Sequence, residues 1–177
     1  LESGNEDEDV YLTDRLTDET IRMMEAVKHK PFFLNLSYHT VHTPIEGKPE
    51  VVEHFRNKVT PEMRHQNYEY AAMVYVLDEN VGRLLAKIEA LGIADHTVVF
   101  LFSDNGGYIG EYGGKFVTNN DPLRSGKGSV YEGGIREPLI VRWPGVTQPG
   151  SVSDELVISN DFHPTFLEIA GLRGPMP

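Results

Sequence analysis

Cysteine is absent from all 177 residues. No disulfide framework and no Cys-ligated zinc site can therefore form, although this absence does not identify a compartment. No apolar run approaches the ~18 residues that mark a membrane-spanning helix, so no membrane span is expected. Positive charge is scarce: 16 Lys and Arg stand against 27 Asp and Glu, a formal net charge of −11. A general nucleic-acid binder presents a basic face, and nothing here provides one. An anionic small substrate stays open, because a few placed cations outweigh the net field locally. The first residues, LESGNEDEDVYLTD, are acidic and lack the apolar core of a signal peptide. They read as a solvated lead-in, as if from the middle of a longer protein. There is no internal repeat, low-complexity tract or domain linker.

What is present is ordinary globular material: 40% hydrophobic and 10% aromatic residues, enough for one domain with a real core. A first helix is expected over LTDETIRMMEAVKHKP, capped by Thr17, with Ile21, Met24 and Val27 on one face and Pro31 closing it. FFLNLSY, residues 32–38, reads as a strand, followed by the polar loop HTVHTPIEGKP. Thr60-Pro61-Glu62 is expected to open the longest helix, whose apolar stripe runs from Tyr70 to Ile88 and which stops at Gly92. TVVFLFS and PLIVRW are further strands, VSDELVIS is a weaker one, and NDFHPTFLEIAGL is a helix with Pro164 in its first turn. Alternating helices and short apolar strands imply an α/β protein with a mainly parallel sheet covered on both faces. Residues 105–137 form a loop region too long for a mere connection, and loops of that length are usually functional or disordered.

Three groups can carry chemistry. Asp104 and Asn105 end the apolar strand TVVFLFS, at the strand end where open α/β sheets bind ligands. A carboxylate and an amide carbonyl are hard oxygen donors suited to Ca²⁺ or Mg²⁺, yet Asn-Gly is equally a turn signal that needs no metal. His39 and His42 follow the strand FFLNLSY and can hydrogen-bond an anion or act as acid or base. Two histidines make a weak zinc signal, and an ordinary loop with satisfied imidazoles is the alternative. Lys127 lies between Gly126 and Gly128, where backbone can approach a ligand closely and a compact ammonium can meet a phosphate or sulfate oxygen. The P-loop pattern is not matched. Arg124 and Arg136 are further cations, and each of these charges can equally be a solvated loop residue. Glu132 and Glu137 can simply pair with neighbouring cations. The groups together fit a metal-assisted site for an oxyanion ester.

Four segments, in order, resemble the sulfatase family of the alkaline phosphatase superfamily: YLTDRLTDETIRMMEAVKHKPFFLNLSYHTVHTPIEG, HQNYEYAAMVYVLDENVGRLLAKIEALGIADHTVVFLFSDNGG, PLRSGKGSVYEGGIREPLIVRWPG and ISNDFHPTFLEIAGL. The resemblance covers nearly the whole chain. It implies that Asp104 and Asn105 ligate an active-site calcium, and that Lys127 and His42 bind the sulfate group as catalytic residues. His39 is implied as a neighbouring substrate-binding residue, and Lys48 as a weaker candidate of the same kind. It also implies a formylglycine nucleophile made from a Cys/Ser-x-Pro-x-Arg motif. That motif is absent here, as is the aspartate pair that completes the calcium site.

The expectation is therefore a partial sulfatase domain over residues 1–177, without the N-terminal nucleophile half and the C-terminal subdomain. Alone it is expected to be inactive, to bind calcium weakly and to self-associate through an exposed sheet edge. The parent would hydrolyse carbohydrate or aryl sulfate esters. The alternatives are a phosphate or phosphonate ester hydrolase of the same superfamily and a non-catalytic remnant that binds sulfated glycans. Family habit implies a periplasmic, secreted or lysosomal location.

Overall fold

The computed structural model describes residues 10–172. The chain divides at Pro144–Gly145 into two compact units.

In the first unit, helix α1 spans Leu12–Val27, α2 Pro49–Lys58 and α3 Tyr68–Ala90. Strands β1 (Val99–Phe102) and β4 (Leu139–Arg142) form one sheet, and β2 (Glu111–Tyr112) pairs with β3 (Lys115–Phe116) in a small hairpin. A single-turn helix, α4, covers Glu132–Ile135. Met24, Ile88 and Ala94 form one buried cluster, against which Ile21, Leu34, Leu84 and Val99 pack. This places α1 and α3 against the start of β1. Ile45, Met73 and Val117 form a second cluster that pins the segment after His42 and the chain after β3 to α3.

The local chemistry shifts several boundaries. Thr17 caps nothing: α1 has already begun at Leu12, and Thr17 is fully buried inside it, its hydroxyl donating to the Thr13 carbonyl at 2.9 Å. Pro61 opens only a turn, closed by the Gln66 amide donating to the carbonyls of Pro61 (2.7 Å) and Met63 (3.1 Å). α3 starts at Tyr68, because the Asn67 side chain accepts from the Tyr70 N–H at 3.0 Å and caps it there. Helix α2 was not anticipated, although Pro49 at its first position and Arg56 and Lys58 in its last turn are legible start and stop signals.

The α/β class stands, as a partial domain of helices and a small sheet. The sheet differs in detail from the expected parallel one. β1 and β4 run antiparallel, with Val99 opposite Arg142 and Phe102 opposite Leu139, since the 103–138 excursion returns the chain beside β1 in reverse. Residues 32–38 join neither sheet. One face of the β1–β4 pair is open rather than covered: the cross-strand partners Leu101 and Ile140 are 40% and 61% exposed.

In the second unit, helix α5 covers Phe162–Ile169 behind a 3-10 turn at Ser159–Asp161. The Asp161 carboxylate accepts from the Ile158 N–H at 2.8 Å and organises that turn. Pro164 sits in the first turn of α5, as expected. The strand expected over 152–159 does not form, and Val152 and Leu156 are almost fully exposed.

Candidate active site

Asp104 and Asn105 follow the last residue pair of β1, and the Ser103 hydroxyl donates to the Asn105 carbonyl at 3.0 Å, tightening the turn. The chain here is packed backbone on backbone. The Lys127 N–H donates to the Gly107 carbonyl at 3.1 Å, and the Gly106 N–H to the Gly134 carbonyl at 3.2 Å. A Cβ on Gly106 would lie 1.8 Å from the Gly133 carbonyl oxygen, and one on Gly126 would lie 2.4 Å from that of Gly107. Only glycine admits these approaches. Asn120 locks the arrangement, its amide donating to the carbonyls of Gly107 and Ser125, both at 3.0 Å. The Asp104-Asn105 tip, the Lys127 loop and the α4 turn are thus one assembly. Asp104 and Lys127 are exposed on it, and Asn105 is half-buried.

The histidines lie on a separate loop and form a pair, with ring centroids 5.2 Å apart. His42 Nδ1 lies 2.9 Å and His39 Nε2 3.2 Å from the Thr43 carbonyl oxygen. A carbonyl only accepts, so both ring nitrogens carry their protons there. For His42 this leaves Nε2 as the atom able to meet a ligand. The loop is held from outside by α1. Thr17 shares a 2.7 Å hydrogen bond with the Tyr38 hydroxyl, Thr13 bonds Thr40, and the Tyr11 hydroxyl donates to the Glu46 carbonyl at 3.0 Å.

Lys48 has a structural occupation: it forms an ion pair with Asp14 and lies over the Tyr11 ring. Asp14 also accepts from the buried Asn80 amide at 2.8 Å. Burial alone would raise the Asp14 pKa, but the hydrogen bonds from Lys48 and Asn80, with the charges of Lys48 and Arg83, hold it below the ordinary carboxylate value. This anchoring network of Thr13, Thr17, Asn80 and Asp14 escaped the reading of the sequence. Its signal is the i, i+4, i+7 spacing of Thr13, Thr17 and Thr20, a polar stripe on one helical face that turns out to be buried.

Arg124 stacks on the Tyr131 ring at 3.8 Å. Glu132 pairs with Arg136 at 3.3 Å. Glu137 differs: its Oε1 is buried and has no hydrogen-bond partner. Burial, and then the charge of Asp104, push its pKa above the usual glutamate value.

The donor chemistry at the β1 tip fits calcium in kind, a carboxylate and an amide oxygen. These are far fewer than the about six to eight oxygens that calcium takes. No three His, Asp or Glu side chains converge into a metal cluster among the described residues.

Comparison with known proteins gives the class that this fold and site define. The Sulfatase family matches residues 2–172, and the chain belongs to that family. A sulfatase of Formosa agariphila is 40% identical, over 94% of this chain and 31% of its own length. The steryl-sulfatase of Rattus norvegicus is 37% identical, over 93% of this chain and 27% of its own. Among solved structures, Ps i-CgsB in complex with k-i-k-neocarrahexaose superposes with a TM-score of 0.84 at 34% identity, over 98% of this chain and 37% of that one. The PsFucS1 sulfatase from Pseudoalteromonas sp. gives 0.74 at 28% identity, over 93% of this chain and 31% of that one. The chain therefore spans about a third of the length of these relatives.

Proposed function

We propose that residues 1–177 are part of a sulfatase catalytic domain, and that the whole protein hydrolyses sulfate esters. The observation that carries this reading is the backbone contact between Lys127 and Gly107, which ties the loop of Lys127 to the chain two residues beyond Asn105. Asp104 and Asn105 would hold calcium, which when bound would neutralise sulfate oxygens. The Lys127 ammonium would take a share of the same negative charge, and His42 Nε2 would donate to the ester or leaving-group oxygen from the doubly protonated ring, since Nδ1–H is already given to the Thr43 carbonyl. Each contact strengthens as charge develops in the transition state. His39 would fix the orientation of His42 through the shared Thr43 carbonyl and border the substrate.

The nucleophile, formylglycine in this family, and the remaining calcium ligands would come from outside these residues, since no Cys/Ser-x-Pro-x-Arg motif occurs here. The domain is thus read as lacking its nucleophile half and its C-terminal subdomain. The chain alone is inactive on this reading and binds calcium weakly. A carbohydrate sulfate is the favoured substrate class, by likeness to a protein solved with neocarrahexaose. An exported or lysosomal location follows the family's habit. The open face at Leu101 and Ile140 is where the rest of the domain, or a second copy, would cover the sheet.

The test is hydrolysis of an aryl sulfate and an aryl phosphate by the whole protein and by residues 1–177. The expected result is calcium-dependent sulfatase activity of the whole protein only, reduced at least about a hundredfold by Lys127→Ala. Robust turnover by residues 1–177 alone overturns the partial-domain reading. A whole protein that prefers the phosphate overturns the choice of sulfate.

A further inference from the structure

The β2–β3 hairpin and the last turn of α2 hold a cluster of cations and rings that the reading above leaves without a task. Gly113 and Gly114 both take positive φ, 59° and 77°, in the two-residue turn that matches strand twist. The turn sets Tyr112 directly opposite Lys115, so both side chains leave the same face of the hairpin. Glu111 and Phe116 leave the other face. Lys115 Nζ lies 4.4 Å from the centroid of the Tyr68 ring and donates to the Tyr68 hydroxyl at 2.7 Å. The Arg56 guanidinium lies over the same ring at 5.1 Å. Two cations thus share one aromatic ring, and Tyr112, 40% exposed, stands across the hairpin from one of them.

The carboxylates that meet these cations hold them loosely. Arg56 pairs with Glu53 at 2.8 Å and Lys115 lies 3.8 Å from Glu69, with each of the four side chains 36% or more exposed. Pairs this exposed contribute little, so an arriving anion displaces them at small cost. The Tyr68 hydroxyl registers the balance of charge: the hydrogen bond from Lys115, and then its charge, lower the Tyr68 pKa. Negative charge is therefore favoured at this edge of a chain whose net charge is −11.

The hairpin is also held in place. Asn67 donates to the Phe116 carbonyl at 3.1 Å, Asn119 to the Arg64 carbonyl at 3.0 Å, and Arg64 to the Asp121 carbonyl at 2.9 Å. These bonds fix it to the segment before α3, which leaves little for a ligand to order. Lys115 stands five residues before Asn120, whose amide meets the same Gly107 carbonyl as the Lys127 N–H. Five residues span at most about 18 Å, a distance that a short chain of sugar rings covers.

We infer that Tyr112, Lys115 and Arg56, gathered around Tyr68, form a distal subsite for a sulfated sugar unit of an oligosaccharide whose scissile ester lies at the lysine loop. The inference rests on the sulfatase reading above and extends it to units beyond the one hydrolysed. Tyr112 offers a flat apolar ring with a polar edge, which fits the C–H face of a pyranose. The Lys115 ammonium and the Arg56 fork take the sulfate oxygens.

The experiment is calorimetric titration of the whole protein with a sulfated galactan oligosaccharide and with its desulfated form, alongside hydrolysis of an aryl sulfate by the wild type. Lys115→Ala and Arg56→Ala are each expected to weaken binding of the sulfated form about tenfold and to leave binding of the desulfated form unchanged. Tyr112→Ala should weaken both forms and Tyr112→Phe neither. Lys115→Arg should keep most of the affinity, because it keeps the charge. Arg22→Ala, which removes a cation elsewhere, should bind as wild type. If Lys115→Ala and Arg56→Ala both bind the sulfated form within about twofold of wild type, or the wild type shows no saturable binding, the inference falls, while aryl sulfate turnover still upholds the sulfatase reading. Equal losses for the sulfated and desulfated forms overturn the sulfate contact. If Lys115 and Arg56 prove necessary in a protein that hydrolyses no aryl sulfate, the subsite stands and the sulfatase reading falls.

Discussion

The two loops that present candidate site residues are held in opposite ways. The histidine loop, around residues 38–48, hangs on side chains reaching across from α1 and the residue before it: Tyr11, Thr13, Asp14 and Thr17 meet Glu46, Thr40, Lys48 and Tyr38. The lysine loop, around residues 124–134, has almost no side chains at its contacts. It is held by N–H and carbonyl groups of glycines packed on glycines, with Asn120 as a clasp. Side-chain anchoring tolerates the loss of any one tether, because the others persist. Backbone packing tolerates nothing, since a single added methyl group meets a carbonyl that cannot move aside.

That contrast predicts a ranking. The largest effect is expected from Gly106→Ala, whose new Cβ would fall 1.8 Å from the Gly133 carbonyl oxygen. Urea denaturation should show a loss of about 3 kcal/mol. A loss under about 0.5 kcal/mol, the ordinary range of a surface substitution, would mean the two turns separate easily, and the comparison would fail.

Next is Asn80→Ala, at a 1% exposed position. It strips a donor from Asp14 and from the Val76 carbonyl, and an acceptor from Arg83. A cost of about 2 kcal/mol is expected, with Asn80→Asp no rescue because it places a second carboxylate beside Asp14. Thr17→Val should cost about 1 kcal/mol, and Thr17→Ser should recover most of it by keeping the hydroxyl that meets Tyr38.

A pH series sharpens the same point. Because the folded-state pKa of Asp14 is lowered, its ion pair with Lys48 stabilises the fold above the unfolded value of about 3.9. That contribution fades as pH falls through that value toward the lower folded one. The midpoint of urea unfolding should fall more steeply below about pH 4 in wild type than in Asp14→Asn. The smallest effect is expected from Arg22→Ala. Its partner Glu19 and the arginine itself are both more than half exposed, so unfolding should be indistinguishable from wild type.

The positions of the candidate residues in the fold were legible before any fold was known, because they sit after a strand and between glycines. Asp104 and Asn105 end a strand, and Lys127 is flanked by glycines, both as read. The elements that failed to be read share a cause. Residues 32–38 and 152–159 have strand composition, yet a strand exists only where a second strand completes its ladder, and among the described residues neither segment joins a sheet. Thr17 has the chemistry of a cap but lies in mid-helix, because its hydroxyl finds the Thr13 carbonyl and Tyr38 instead.

The sequence by itself determined the family, the order of most helices and the chemical identity of the β1 tip, since each is written in contiguous residues whose side-chain chemistry needs no context. Tertiary structure alone decided which polar residues are buried. It made Thr13, Thr17 and Asn80 into anchors, paired Lys48 with Asp14, and left Glu137 Oε1 buried without a hydrogen-bond partner. The reason is physical: burial and register depend on contacts between residues far apart in the chain, and no local pattern encodes which of them will meet.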